Sequence, residues 1–545
     1  MKKALFIFLA LASIGLYGQS KDIRAAFRLD YYMEEPTAEF VVCLPEDSTY
    51  LGATVRLASA SGQTYSTRVE QPGGMVGLEV PIADLGEGTH HFQYAIQTDK
   101  GTVEGSAELK KLPYKFNAVQ VDRKTGGVIA RGMPLIPYGF YCYSPVQPMI
   151  QEEEVVRGFN LISPYQSIPG SDRKMRKVYM DRAAELGMKV NYNLLSVATA
   201  GTGYNRNQDP EERRQMFIEE IKAFKDHPAL LSWYLADEPD GRNTPVEVLR
   251  ELYQLIKSID PYHPVSIVFM HYGSERKYID CYDISMGDLY PVPTKPVAGV
   301  AKFQKSMSDA LQLEKGIWLV PQSFGGNEWW TREPTAGEIR ASVYMGLLNG
   351  SRGFQFFIRH GQNGFPKSTT AWGEAAAVAL EVAEMTPYVL SGQPAPKVAA
   401  SDSMVEARAW TRGKNMMIAA VNKENTPKDL VLQVEGWDFT GELKVPFENR
   451  TIQDKIDALG SRVYKLEADP VLTASLDSLN VVDPSFEANT SVGVPNAVYA
   501  QVGKGRGSTY FVDSRTAHTG EHSLRLITHK NGEGVTLQHF PIIVD

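Results

Sequence analysis

The stretch His227-Pro-Ala-Leu-Leu-Ser-Trp-Tyr-Leu-Ala-Asp-Glu-Pro239 runs an apolar segment straight into two adjacent carboxylates, Asp237 and Glu238, and then a proline. Paired carboxyls at the end of a buried strand can serve as general acid, general base or nucleophile at a glycosidic bond. Successive side chains on a strand point to opposite faces. One carboxylate is therefore expected in the pocket and the other in a supporting role, unless the strand is already breaking at Pro239. Other apolar runs also end in polar or aromatic residues: Tyr143 and Ser144, Gln166, Asn191 and Asn193, His271 and Tyr272, Asp288 and Tyr290, Gln322 and Ser323, Arg359 and His360. The set suits a sugar, with carboxylates for bond cleavage, amides and imidazoles for hydroxyls, and aromatic faces for C–H surfaces. Asn193, His271, Tyr290 and Gln322 are candidate sugar ligands, and Trp329, Trp330 and Trp372 candidate stacking surfaces; each is equally at home in ordinary packing. The histidines form no H-E-x-x-H or comparable spacing, so neither a metal nor another cofactor is indicated.

The elements that carry these residues alternate. Strand-like runs fall at Ile136–Tyr141, Leu161–Tyr165, Lys189–Leu195, Leu230–Ala236, Val265–Met270, Tyr282–Met286, Ile317–Val320 and Phe354–Ile358. Segments of helical period lie between them at Arg173–Leu186, Glu211–Phe224, Pro245–Ser258 and Ala336–Leu348. Eight such runs match a (β/α)8 barrel of about 250 residues, whose active groups sit where strands run into helices. A doubly wound open sheet is the rival, disfavoured because no Gly-rich phosphate loop follows the first strand.

The 545 residues divide further. Residues 22–115 alternate short β-type runs with turn signals, as an Ig-like β-sandwich does. The barrel is expected over 116–392, a second β-sandwich over 393–467, and over 480–545 a β-rich segment read as a possible, perhaps incomplete, carbohydrate-binding domain. Met-Lys-Lys, an apolar run to Leu16 and a small residue at Gly18 read as a secretory signal peptide over 1–18. The apolar run falls short of the ~20 residues needed to span a bilayer. A secreted or periplasmic protein without a membrane span is expected. With 56 Lys+Arg against 64 Asp+Glu the net charge is −8, which argues against a nucleic-acid partner. Three well-separated cysteines exclude a disulfide scaffold and a Cys-based zinc site. Oligomeric state is not legible.

The pattern His-Pro-x-(apolar)2-x-Trp-x-(apolar)-x-(Asn/Asp)-Glu resembles the fourth-strand segment of the clan of (β/α)8 retaining glycoside hydrolases that includes β-galactosidases and β-glucuronidases. The segment from Val121 to Gly139 is similar to that clan's approach to strand one from a preceding sandwich. The resemblance spans the barrel and implies Glu238 as general acid/base. It also places Asp237 where the clan carries an Asn that binds the sugar 2-hydroxyl, and Gln322 where it carries the strand-seven Glu nucleophile. An amide cannot act as that nucleophile. Three second groups remain open: Glu328, Asp288, or Asp237 assisting a 2-acetamido group as in the hexosaminidases. The leading expectation is a secreted hydrolase of β-linked sugars in an oligo- or polysaccharide. The rival is a glycan-binding protein that keeps the barrel without its chemistry. A polysaccharide lyase has only Tyr and His residues at the barrel mouth in its favour.

Overall fold

The structure, a computed structural model, describes residues 23–45, 48–70, 74–98, 101–142, 154–165, 173–195, 209–326, 329–358, 369–435, 447–448 and 450–466, together with the backbone of four short strands between 498 and 539. The leader-like residues 1–18, Tyr143, Ser144, Gln166, Glu328, Arg359 and His360 lie outside the described residues.

The chain forms two compact units. The first holds β1 (Arg24–Phe27), β2 (Thr37–Leu44), β3 (Thr54–Ser59), β4 (Thr64–Arg68), β5 (Gly74–Pro81), β6 (Gly88–Thr98) and β7 (Gly101–Lys111). They make two antiparallel sheets, β1-β2-β5 and β4-β3-β6-β7. Phe27 packs edge-on against Phe40 of its own sheet and Phe92 of the other, at 5.5 and 5.1 Å between ring centroids. Alternation of buried and exposed residues along β5 and β7 leaves one face of each sheet to water, as a sandwich requires.

The second unit takes Leu29–Glu34 and everything from Leu112 onward. It opens with a small antiparallel sheet, β8 (Val119–Asp122), β9 (Gly127–Ala130) and β10 (Met133–Leu135). Then come β11 (Tyr138–Cys142), β12 (Leu161–Pro164), β13 (Lys189–Asn193), β14 (Leu230–Asp237), β15 (Val265–Phe269), β16 (Ile284–Gly287), β17 (Gly316–Leu319) and β18 (Phe354–Phe356). These eight close into a parallel barrel in chain order, with β11 pairing β18. The doubly wound alternative is thereby excluded. Around the strands lie α1 (Arg173–Glu185), α2 (Pro210–Phe224), α3 (Val246–Ile259), α4 (Gly299–Leu311), α5 (Ala336–Leu348) and α6 (Thr369–Val389).

Local chemistry starts the helices where the sequence does. Asp209 caps α2 by accepting from the amides of Glu211 and Glu212, and Pro210 occupies the first turn, where no amide is needed. Thr335 and Glu338 form a reciprocal capping box on α5. Two apolar layers fill the barrel unit. Tyr138, Phe140, Trp233 and Leu235 face the helices, whereas Tyr141, Leu231, Tyr234, Val268, Met286 and Trp318 face inward. Val121, Val128 and Leu135 of the small sheet join the inward layer. They close the end where the strands begin, since the Ile317 amide donates to the Gly126 carbonyl. The opposite end is left for chemistry.

Beyond α6 a second sandwich pairs β19 (Val398–Ala400), β22 (Lys428–Val434), β24 (Thr451–Ile456) and β23 (Phe447–Glu448) against β20 (Val405–Arg412), β21 (Asn415–Asn422) and β25 (Ser461–Leu466). Its core includes Ile418, Leu432 and Ile452. The four last strands, β26 (Val498–Val502), β27 (Thr509–Asp513), β28 (Ser523–Ile527) and β29 (Val535–His539), form two hydrogen-bonded pairs. Among the described residues no helix is long and apolar enough to cross a membrane.

Candidate active site

The alternation rule fails on β14, and the failure builds the site. Tyr234 faces inward, and Leu235 and Ala236 both pack outward. The ladder to β15 skips a residue between Tyr234 and Ala236. One extra residue in a strand resets its faces, so Asp237 turns inward beside Tyr234 instead of outward. Its Oδ1 accepts from the Tyr234 hydroxyl at 2.5 Å, and its Oδ2 from the Tyr165 hydroxyl at 2.6 Å and Arg242 Nη2 at 3.3 Å.

Glu238 follows in the left-handed region, at φ 47°. Its amide donates to the Val268 carbonyl at 3.0 Å, and the Arg242 amide closes a turn onto the Glu238 carbonyl at 3.2 Å. Left-handed backbone at a side chain with a Cβ costs about 1–2 kcal/mol. That turn lets two neighbours work at the same mouth, so the expectation of one carboxylate in and one turned away is corrected.

Asp288 follows β16, its amide donating to the Phe269 carbonyl at 3.1 Å. It is 6 % exposed. Its carboxyl is pushed well above the usual range, first by burial and then by the charge of Glu238, with which it also hydrogen-bonds. Burial likewise raises the Glu238 carboxyl, with Asp237 and Asp240 adding to the rise, while the Asp288 hydrogen bond and Arg242 oppose it. Two charges in contact in a poorly solvated place repel, so both carboxyls are pushed toward their protonated forms. Asp288 is the more buried of the two, and the Glu238 side chain is 28 % exposed. The pair stands at the mouth as two neighbouring carboxyls, each within hydrogen-bonding reach of the other.

Asp240 ties down the neighbouring rim. It accepts from the His271 amide at 2.9 Å, from the Ser274 hydroxyl at 2.8 Å and from the Met270 amide at 3.4 Å, and it contacts His271 Nδ1 at 3.2 Å. The His271 ring is otherwise open to solvent at that rim. An aromatic wall lines the other flank: Tyr141, Tyr165 and Phe357 are in mutual contact, and Phe357 continues to Tyr290, Phe324 and, through them, Trp330. The Tyr290 hydroxyl is pushed up by burial and by the Asp288 charge. Trp330 Nε1 donates to the Tyr290 carbonyl at 3.1 Å, and Trp329 is exposed.

Other expected residues fall elsewhere. Trp372 is 3 % exposed. It lies in the strand-to-helix layer, stacked on Phe159 at 5.3 Å and donating to Glu154 at 2.8 Å. It is a packing residue because it stands on the inner face of α6. Gln322 follows β17 as expected but is not a sugar ligand, because its amide is committed to the backbone of Val292 and Phe324. Asn193 is buried at the end of β13 and accepts from the Leu195 amide at 2.7 Å. Trp233, on the strand that delivers Glu238, points to the helices and donates to Asp260 at 2.9 Å. Tyr165, Tyr234, Asp240 and Arg242 were not singled out as site residues. Asp240 and Arg242 stand within four residues of Glu238, a signal available in the sequence; the two tyrosines needed the bulge. Among the described residues no group of three or more His, Cys, Asp or Glu could hold a metal ion.

A closed (β/α)8 barrel with carboxyls at the C-terminal ends of its fourth and sixth strands, flanked by β-sandwich domains, is thus the class of protein this fold and site define. No protein-family model and no curated protein matches the chain. Solved structures that it resembles include the FMN-binding β-glucuronidase of Facaelibacterium prausnitzii, at 12 % identity over 82 % of this chain and 73 % of that one, TM-score 0.36. The β-glucuronidase of Parabacteroides merdae is similar at 11 % identity over 82 % and 74 %, TM-score 0.33. A β-galacturonidase of Eisenbergiella tayi is similar at 13 % identity over 66 % and 72 %, TM-score 0.36. At such identities and scores they carry no argument about substrate or site.

Proposed function

We propose that this protein is a glycoside hydrolase that cleaves a β-linked bond in an oligo- or polysaccharide. The observation that carries the reading is the neighbouring pair Glu238 and Asp288, both pushed toward their protonated forms, set at the barrel mouth beside an inward-facing Asp237. Glu238, the less buried member, would be protonated in the resting site and give that proton to the glycosidic oxygen as the bond from the sugar carbon breaks. Asp288, protonated beside it, would then supply a proton in its place. A carboxyl kept protonated near neutral pH is what a general acid needs. Asp237, fixed by two tyrosines and Arg242, is placed to stabilise positive charge developing on the sugar ring, or to orient a 2-acetamido group. The aromatic wall from Tyr141 to Trp330 offers flat apolar faces to sugar C–H surfaces. The leader-like residues 1–18 support a reaction outside the cytoplasm.

Aryl β-glycosides and plant, algal or host polysaccharides, incubated with the wild type and with Glu238→Gln, test the reading. Release of reducing ends by the wild type, reduced by orders of magnitude in the variant, is expected, and proton NMR of the first-formed anomer then assigns retention or inversion. A variant as active as the wild type would remove Glu238 from the mechanism. One observation favours the second reading, a glycan-binding protein: the position after β17 carries an amide with no spare hydrogen-bonding capacity on its nitrogen. Calorimetric binding of an oligosaccharide without any cleavage would decide for it.

A further inference from the structure

We propose that Gln322 is a positioning residue that holds Asp288 and Tyr290 in the site through the backbone of Val292. The inference rests on the reading of Asp288 as half of the carboxyl pair at the mouth. Gln322 is the third residue after β17 and is 5 % exposed. Its Oε1 accepts from the Val292 amide at 2.9 Å, and its Nε2 donates to the Val292 carbonyl at 2.9 Å and to the Phe324 carbonyl at 3.2 Å. Val292 lies between Pro291 and Pro293, neither of which has an amide hydrogen, so it owns the only backbone donor of that tripeptide. The side-chain amide thus pairs with Val292 as one strand residue pairs with another.

The clamp has a firm base. Gln322 bridges in parallel to Phe357, the Ser323 amide donates to the Phe357 carbonyl at 2.7 Å, and the Phe357 amide donates to the Pro321 carbonyl at 3.1 Å. Asp288 is pinned at its amide by Phe269, and Val292 is pinned by Gln322, so the residues between them are fixed at both ends. Midway, the Tyr290 carbonyl takes the Trp330 indole hydrogen at 3.1 Å.

An ionised Glu in this place accepts hydrogen bonds and cannot donate them. It would meet the Val292 and Phe324 carbonyls with like polarity and add a negative charge near Asp288. A protonated Glu, by contrast, has one donor and one acceptor in the plane of the amide it replaces. The amide at this position is therefore a working part, not the remnant of a lost nucleophile.

Gln322→Glu and the apolar Gln322→Met, in the full chain, separate the two ideas. Hydrogen exchange, followed by mass spectrometry on a peptide spanning 288–297, reports the clamp. The pH dependence of kcat and KM on a glycoside that the wild type cleaves reports its effect on Asp288. In Gln322→Glu, wild-type exchange and kcat are expected at acid pH, where the new carboxyl is protonated. As pH rises, exchange at Val292 should become at least ten-fold faster than in the wild type at the same pH and kcat fall at least ten-fold with little change in KM, while Gln322→Met exchanges faster than the wild type at every pH. A Gln322→Glu protein more active than wild type at neutral pH would overturn the proposal, because it would mark a vacant nucleophile position. So would wild-type exchange in both variants. If no glycoside is cleaved, the function reading fails, and the exchange data alone decide the clamp.

Discussion

Replacing Glu238 by Gln probes its coupling to Asp288 directly. Two unit charges about 4 Å apart repel by about 4 kcal/mol at the effective dielectric of about 20 that suits protein sites. Each pH unit of such a shift corresponds to about 1.36 kcal/mol. Asp288 is raised from its ordinary 3.8 by burial first and by Glu238 second; the substitution removes the second cause and leaves the first. Over the window from the ordinary value up to the raised one, the folded protein keeps a proton that the unfolded chain has released. Stability is then fully present below the ordinary carboxyl range and is lost as pH rises through the raised value. One proton costs about 1.4 kcal/mol per pH unit, or about 1–2 °C in melting temperature for a unit of this size. In the variant the decline ends at a lower pH, because the Glu238 cause is gone, so the two proteins should melt together near the ordinary carboxyl range and the variant should melt higher in mild alkali. The Glu238 carboxyl, itself raised by burial, acts in the same direction. Asp30, pushed up to about 6 by burial, titrates in both proteins and cancels in the difference. Scanning calorimetry at a series of pH values measures that difference, and kcat should fall by about 10²–10⁴. Parallel melting curves would refute the coupling, leaving burial as the sole cause of the Asp288 shift.

Two further substitutions examine the supporting residues. Asp237→Asn replaces an acceptor of three donors with a group that presents its own donors to Tyr165, Tyr234 or Arg242; a loss of about 1–3 kcal/mol and a fall in kcat of at least about ten-fold are expected, and a variant that melts and turns over like wild type would show that the tyrosines do not depend on the carboxylate. Trp372→Phe leaves the buried Glu154 carboxylate without its indole partner and weakens the stack on Phe159, so denaturant unfolding should show a loss of about 1–3 kcal/mol with KM unchanged; a raised KM at wild-type stability would return Trp372 to the site.

Much of the barrel was legible because burial on both faces makes parallel strands read as continuous apolar runs. Each of the eight runs read as a strand coincides with a barrel strand to within two residues or so at either end. The strand-end positions of Glu238 and Asp288 were legible for the same reason: each is the first or second acidic group after an apolar run, and strand ends are where barrels keep their chemistry. The face of Asp237 was not. Parity arguments assume an unbroken ladder, and nothing in Leu-Leu-Ser-Trp-Tyr-Leu-Ala marks Leu235 as the residue the ladder skips. Trp372 misled because residue type says what a side chain can do and only the helix's orientation says where it points. Gln322 misled differently: its position was right, and the backbone it serves, at Val292, lies 30 residues away in the sequence, beyond any local pattern.

The departures on β14 belong together. A regular strand followed by a regular turn would send Asp237 toward the helices and Glu238 into the barrel, giving the mouth one carboxyl from this strand. The skipped residue brings Asp237 inward, where Tyr234 and Tyr165 hold it. The left-handed turn then keeps Glu238 within reach of Asp288. Each device costs stability: the turn by about 1–2 kcal/mol, the pair by the repulsion between buried carboxyls. Neither cost is recovered in packing, since Glu238 remains partly exposed and Asp288 Oδ1 has no hydrogen-bond partner among the described residues. Strained backbone and like charges brought together at one strand end are expected where function, not folding, sets the geometry. The proximity of Glu238 to Asp288 is what that geometry yields.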